Sequence, residues 1–286
     1  MQIATSIAEV REKVKEWRSA GCKVGFVPTM GNLHDGHLSL CRLARKVTRH
    51  YIVSAFENPI EFGPNEEFDH RPRTPEKDEQ MLRNVNCDLL YRPNAAELYP
   101  NGLVNAVRIE MPGIADVLCG GLRPGHFEAL AGTVNRLINI VQPDIAVFGE
   151  KDFQQLILIR RMVEELRMPV NVVGAPVVRT PDGVAISSRN QYLSDEERRI
   201  APRLFEELFK VAETIETESP ALSEIMQLES KSRAALTADG FKVDYFSVVS
   251  INTLRKPSIS ESDLVVMCSA RLGQTRLIDN KRCTRI

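Results

Sequence analysis

The chain has 286 residues, 43% of them hydrophobic and 26% charged, with a formal net charge of −1. That is ordinary globular composition, long enough for one large domain or two unequal ones, and no field recommends nucleic acid or an anionic membrane as partner. No apolar run reaches the roughly 20 residues of a membrane-spanning helix.

The N-terminus lacks the apolar stretch of a signal peptide, so none is expected. Ile7, Val10, Val14 and Trp17 recur at helical spacing behind Ser6, with Glu9 completing a capping box and Gly21 ending the helix. "KVGFVPTM" then reads as a buried strand, "HLSLCRLARKVT" as a helix and "YIVSAF" as a second strand closing a βαβ unit. The helix "PEKDEQMLRNVN" leads to a third strand, "DLLYRP". The long helix "HFEALAGTVNRLINIVQ" precedes a fourth, "DIAVFG", and "FQQLILIRRMVEEL" is a helix before a fifth, "VNVVGAPVVR". This alternation predicts an α/β fold, a doubly wound parallel sheet with helices on both faces.

After about residue 177 the pattern changes. "DEERRIAPRLFEELFKVAETIE" and "ALSEIMQLESKSRAALTADG" are amphipathic helices, followed by "VDYFSVVS", "DLVVMCSARLG" and "TRLIDN" as short antiparallel strands. The expected division is a nucleotide- and substrate-binding domain over residues 1–177 and a smaller α+β domain over 178–286. The basic tail "DNKRCTRI" reads as solvated. Six scattered cysteines form neither CxxC nor a zinc-spaced cluster, which reads as buried thiols of a reducing cytoplasm.

Three stretches carry chemistry. "VPTMGNLHDGHLSL" places His34 and His37 where the first strand of this reading hands over to a helix. Ligands of open parallel sheets bind outside the carboxyl ends of strands. Gly31 and Gly36 let the backbone approach a ligand, and the free N–H groups of the helix suit an anion. Imidazoles there can donate to phosphate oxygens and to charge developing on them; the plainer reading is a pair that only caps the helix. "TPDGVAISSRNQYLS" sets Ser187, Ser188 and Arg189 in a polar turn, two hydroxyls and a guanidinium suited to a triphosphate, although serine is common in turns. "FGEKDFQQL" puts Gly149, Lys151 and Asp152 after the fourth strand. Lys151 could pair with phosphate or be solvated, and Asp152 could cap the next helix. All three stretches are expected on one edge of the sheet.

Together with "ARLGQTRLIDN", these motifs resemble the pantoate–β-alanine ligase family from about residue 20 to residue 280; HxGH alone marks the wider nucleotidyltransferase superfamily. The resemblance implies a Rossmann-like fold of nucleotidyltransferase type, a cytoplasmic homodimer, and ATP with Mg²⁺ as cofactors. It implies condensation of pantoate with β-alanine through a pantoyl adenylate, releasing pyrophosphate and AMP. Carried over by position, His34, His37, Lys151 and Arg189 would be catalytic. Met30, Gly149, Asp152, Val178, Ser187 and Ser188 would help hold ATP, Glu61 and Gln155 pantoate, and Asp78 the metal. The small molecules are the only partners implied besides a second copy of the chain.

The family pattern S-I-F-V-N-P-x-Q-F appears here as "SAFENPIEF", with Glu57 for Val and Glu61 for Gln. Beside the carboxylate of pantoate an ionised Glu61 would repel by on the order of 4 kcal/mol at ~4 Å and an effective dielectric of about 20. Glu61 must take up a proton, turn away, or serve a different or weakly bound acid. Gly132 and Thr133 stand for Thr and Val in the helix after "RPGHF", Ile186 for Met before Ser187, and Lys77 for a common acid beside Asp78. The nucleotide half of the pattern is intact and the acid half is altered. The alternatives are a ligase or adenylyltransferase of the same fold acting on another small carboxylic acid, or a catalytically silent nucleotide-binding paralogue.

Overall fold

A computed structural model of the chain describes residues 1–62 and 72–286. It divides into two compact units. The first comprises Met1–Asp116, Gly120–Glu150 and Leu158–Pro176; the second comprises Val117–Cys119, Lys151–Ile157 and Val177–Ile286.

The first unit carries β1 (Gln2–Ala4), α1 (Ile7–Ser19), β2 (Val24–Thr29), α2 (Asp35–Val47), β3 (His50–Ala55), α3 (Pro75–Asn84) and β4 (Leu89–Tyr91). Single helical turns α4 (Ala95–Leu98) and α5 (Cys119–Leu122) precede α6 (His126–Val141), β5 (Ile145–Gly149), α7 (Phe153–Glu165) and β6 (Asn171–Ala175); α5 and α7 each begin in residues of the second unit. Six strands pair in the order β1-β4-β3-β2-β5-β6, all parallel. Strands covered on both faces are apolar along their whole length, which is why "VGFV" and "YIVS" do not alternate. Val27, Tyr51, Val53, Leu90 and Val147 share a core with Leu40 and Ala44 of α2 and Leu82 of α3. Phe26, Ile52, Leu89 and Ala146, one residue out of phase, are equally buried on the other face.

The sheet order fixes where a ligand belongs. From β2 the chain steps outward through β3 and β4, then returns to the other side of β2 to form β5 and β6. The carboxyl ends of β2 and β5 therefore flank the point where the winding reverses, the usual binding crevice of such sheets.

The second unit packs α8 (Asp195–Ile200), α9 (Pro202–Glu218) and α10 (Leu222–Ala238) with the antiparallel sheet β7 (Phe241–Ser250), β8 (Asp263–Leu272) and β9 (Thr275–Thr284). Leu204, Leu208, Val211, Ile215, Ile225 and Leu236 from α9 and α10 share one core with Phe246, Val248, Leu264, Val266 and Cys268.

Four features depart from the sequence reading. Strand β1 was not anticipated; its three residues pair with Leu89–Tyr91 at the sheet edge and are too short to show a periodicity. "VNVVGAPVVR" is a strand only to Ala175, because Pro176 offers no N–H to extend the ladder. The first long helix after residue 177 is two helices, with Pro202 opening the second. The three antiparallel strands are ten residues each, and the last takes up most of the basic tail, with Cys283 buried. Of the cysteines, Cys22 and Cys119 are half-buried; burial pushes the Cys41, Cys87 and Cys283 thiols up to about 12, so they remain protonated. Among the described residues no helix is long and apolar enough to cross a membrane.

Candidate active site

In the first unit the loop from Thr29 to Leu33 brings the paired histidines to the carboxyl end of β2. Thr29 is tied back to β3, its hydroxyl donating to the Ser54 carbonyl at 2.7 Å. Gly31 and Asn32 are both left-handed, with φ of 74° and 50°. A side chain at Gly31 would be strained, and its Cβ would come within 3.2 Å of Asp78 Oδ2. Asp78, 6% exposed, closes the turn: Oδ2 accepts from the Asn32 N–H at 2.8 Å, and Oδ1 accepts from the Leu33 N–H and the Thr74 hydroxyl, each at 2.9 Å.

His34 is the N-cap residue of α2, in extended conformation. Its backbone N–H donates to His37 Nδ1 at 3.3 Å, and the two rings lie 4.0 Å apart, tilted by 35°. The capping reading and the phosphate reading of this pair are compatible. With Nδ1 of His37 accepting, the ring carries its proton on Nε2 and offers a donor there. Because β2 and β5 are neighbours, Gly149 lies on the same edge of the sheet. A cavity of about 440 Å³ opens beside the loop, lined by Met30, Asn32, Asp78, Glu57, Arg73 and Arg92 among others, a volume within the range of small-molecule sites.

In the second unit Lys151, Ser187 and Arg189 line one pocket with Phe205, Arg276 and Asp279. Lys151 lies in a 3-10 turn, Glu150–Asp152, whose Lys151 carbonyl accepts from Asn280 Nδ2 at 3.0 Å. Ser187 caps the 3-10 turn Ser188–Tyr192, its hydroxyl accepting from the Arg189 N–H at 3.3 Å. This turn follows a small hairpin in which Ile186 N–H donates to the Val178 carbonyl at 2.9 Å and Gly183, with φ of 92°, makes the bend. Arg179 fastens the hairpin to β9, bidentate on Asp279 at 2.5 and 2.8 Å and stacked over Phe205 at 4.3 Å. Burial raises the Asp279 carboxyl above the usual carboxylate range, with Arg179 opposing it. Asp152 is exposed and Gln155 half-buried. The neighbouring Gln154 is buried and braces the Val117–Cys119 segment, accepting from the Cys119 N–H at 3.1 Å and donating to the Val117 carbonyl at 2.8 Å.

Each unit thus gathers its own share of the expected residues: Met30, His34, His37, Glu61, Asp78 and Gly149 in the first, Lys151, Asp152, Gln155, Val178 and Ser187–Arg189 in the second. Asp78 already accepts three hydrogen bonds on its two oxygens, and among the described residues no group of three or more His, Cys, Asp or Glu could hold a metal ion.

A profile of the pantoate–β-alanine ligase family matches residues 2–282. The chain belongs to the pantoate–β-alanine ligase family. Proteins named pantothenate synthetase from Alcanivorax borkumensis and Shewanella oneidensis are 48% and 45% identical, covering 98% and 100% of this chain and 97% and 100% of their own length. The crystal structure of pantothenate synthetase from Thermus thermophilus superposes with a TM-score of 0.89 at 39% identity, over 98% of this chain and 99% of that one. A pantoate–β-alanine ligase from Francisella tularensis, complexed with beta-gamma ATP and β-alanine, gives a TM-score of 0.77 at 31% identity, over 98% and 97% of the two chains.

Several positions at which this chain differs from the ligase pattern have local contacts of their own. Glu57 accepts from Arg73 Nε at 2.9 Å. Glu61 is buried at the end of the 3-10 turn Pro59–Glu61, with Thr133 Oγ1 donating to its Oε1 at 2.7 Å. Gly132 leaves room for Arg136, which donates back to the Gly132 carbonyl at 2.8 Å and stacks over Tyr99 at 4.5 Å.

Proposed function

We propose that this ligase joins pantoate to β-alanine at the expense of ATP. The pantoate carboxylate attacks the α-phosphorus, forming an acyl–phosphate bond as the bond to pyrophosphate breaks. The β-alanine amine then attacks the acyl carbon and expels AMP. The observation that carries this reading is family membership along nearly the whole chain, coupled with a histidine pair at the reversal point of the sheet. Such transfers need little covalent help from protein; positioning and neutralisation of phosphate charge supply the rate.

In this reading His37 donates from Nε2 to phosphate oxygens, with His34 beside it and the first N–H groups of α2 adding their dipole. Lys151 and Arg189 neutralise the triphosphate, Ser187 and Ser188 hydrogen-bond to it, and Gly149, Val178 and Asp152 meet the nucleoside. Met30 lies beside the reacting groups, and Gln155 and Glu61 belong to the acid pocket. Magnesium would be carried by phosphate oxygens and water rather than by Asp78. We further propose a cytoplasmic homodimer.

The test is direct. Purified protein with ATP, Mg²⁺, pantoate and β-alanine should form AMP and pantothenate, and pantoate alone should support exchange of pyrophosphate into ATP. Exchange that ignores pantoate but responds to another small hydroxy acid would overturn the substrate assignment; absence of exchange with every acid would overturn the activity.

A further inference from the structure

Glu61 adjoins a network of hydrogen bonds that runs from Asn58 through Tyr99 and Thr133 to its carboxylate. Asn58 Nδ2 donates to the Tyr99 hydroxyl and to Thr133 Oγ1, both at 2.8 Å. With one lone pair of Tyr99 so engaged, its own proton goes to Thr133 Oγ1, 3.0 Å away; burial raises the Tyr99 phenol, so it stays a donor. Thr133 then accepts twice and has one proton left, directed to Glu61 Oε1 at 2.7 Å or to the Ala129 carbonyl at 2.9 Å. The backbone of Glu61 is fixed as well. His126 Nδ1 lies 2.7 Å from its carbonyl and Arg123 Nη2 3.3 Å, while Arg123 Nη1 meets His126 Nε2 at 2.7 Å. A guanidinium only donates, so Nε2 accepts and the His126 proton is on Nδ1, where it donates to Glu61. Main chain and side chain of Glu61 are therefore oriented by α6 (His126–Val141) and its approach.

We infer that Thr133 is a positioning residue for Glu61, and that positions 61 and 133 act as one unit in setting affinity for the carboxylic acid substrate. A buried carboxylate is held by its donors, and an aliphatic side chain at 133 removes one of them, the hydroxyl at 2.7 Å. A glutamine at 61 needs that donor less, because its amide carries no charge. Glutamate with threonine and glutamine with valine are thus two self-consistent solutions, and the mixed pairs are not. The inference rests on the pantoate reading for its functional half only.

The experiment is a double-mutant cycle in the full-length protein, varying pantoate with ATP and β-alanine saturating. Thr133→Val should raise the pantoate KM by about tenfold with smaller changes in kcat and in the KM for ATP. Thr133→Ser, which keeps the hydroxyl, should behave as wild type, and Glu61→Gln/Thr133→Val should recover most of the lost affinity. An unchanged pantoate KM in Thr133→Val, or a double variant whose defect is the product of the two single defects, overturns the proposal. If Thr133→Val does not fold, recovery of folding in the double variant supports the coupling, and failure of both moves the same criteria to Thr133→Ala. If wild type does not use pantoate, the function reading falls, but the coupling is still decided by melting temperature: Glu61→Gln must remove most of the drop caused by Thr133→Val, and additive drops refute it.

Discussion

Two backbone N–H groups of the loop before His34 end on the carboxylate of Asp78, a residue 45 positions or more further along the chain. Its presence in that turn makes it an anchor for the histidines. Asp78→Asn turns an amide N–H toward one of three donors, at a cost of about 1–3 kcal/mol. A displaced loop should lower kcat by at least about tenfold, since small misplacements are expensive in transfer chemistry. The Mg²⁺ concentration for half-maximal rate should not move; a shift to higher Mg²⁺ would restore Asp78 as a ligand. His37→Asn makes the complementary separation. Its side-chain oxygen can still accept from the His34 N–H, but the Nε2 donor is gone, so kcat/KM should fall about a hundredfold or more while the melting temperature stays near wild type. The paired histidines were legible in the sequence because local spacing and a strand-to-helix handover announce them. The service Asp78 performs was not, because it depends on a tertiary contact that no local pattern encodes.

At the scale of elements, two glycines respond to substitution in opposite ways. Gly132 lies inside α6, where a Cβ would come 3.1 Å from the flexible end of Arg136. Gly132→Ala should stabilise the protein by up to about 1 kcal/mol through helix propensity, less whatever Arg136 loses in moving. Gly183 has φ of 92°, and a Cβ there would be 2.4 Å from Phe205 Cδ1. Gly183→Ala should destabilise by about 1–3 kcal/mol and weaken ATP binding, since the hairpin it bends leads into Ser187. Denaturant titration reads both. Elements with long apolar or amphipathic runs, such as β2, α6 and α9, were plain from periodicity. Strand β1 was hidden by its length. The role of "TRLIDN" was hidden for another reason: Asp279 and Asn280 act on Arg179 and Lys151, so the motif reads as a strand while bracing the hairpin that leads into Ser187.

For the whole molecule, the prediction is one of linkage. The ATP binding proposed above should raise the unfolding temperature with concentration, by the equivalent of about 2.7 kcal/mol at a hundredfold excess over Kd. The Lys151→Ala and Arg189→Ala variants should each lose most of that gain; full retention in both would remove them from the nucleotide site. The shift in pattern near residue 177 marks only the longest piece of the second unit. Its two short pieces, Val117–Cys119 and Lys151–Ile157, were invisible because they resemble the α/β chain around them.

Those short pieces bear on how such a protein can be taken apart. A fragment starting at residue 178 would leave behind the Lys151 carbonyl that Asn280 grips and the Cys119 thiol that lies 3.0 Å from the Tyr245 hydroxyl. The smaller body is therefore not a detachable cassette. A chimaera between two relatives would have to exchange three separated stretches of gene at once, because one splice would give each parent a body finished with the other's parts.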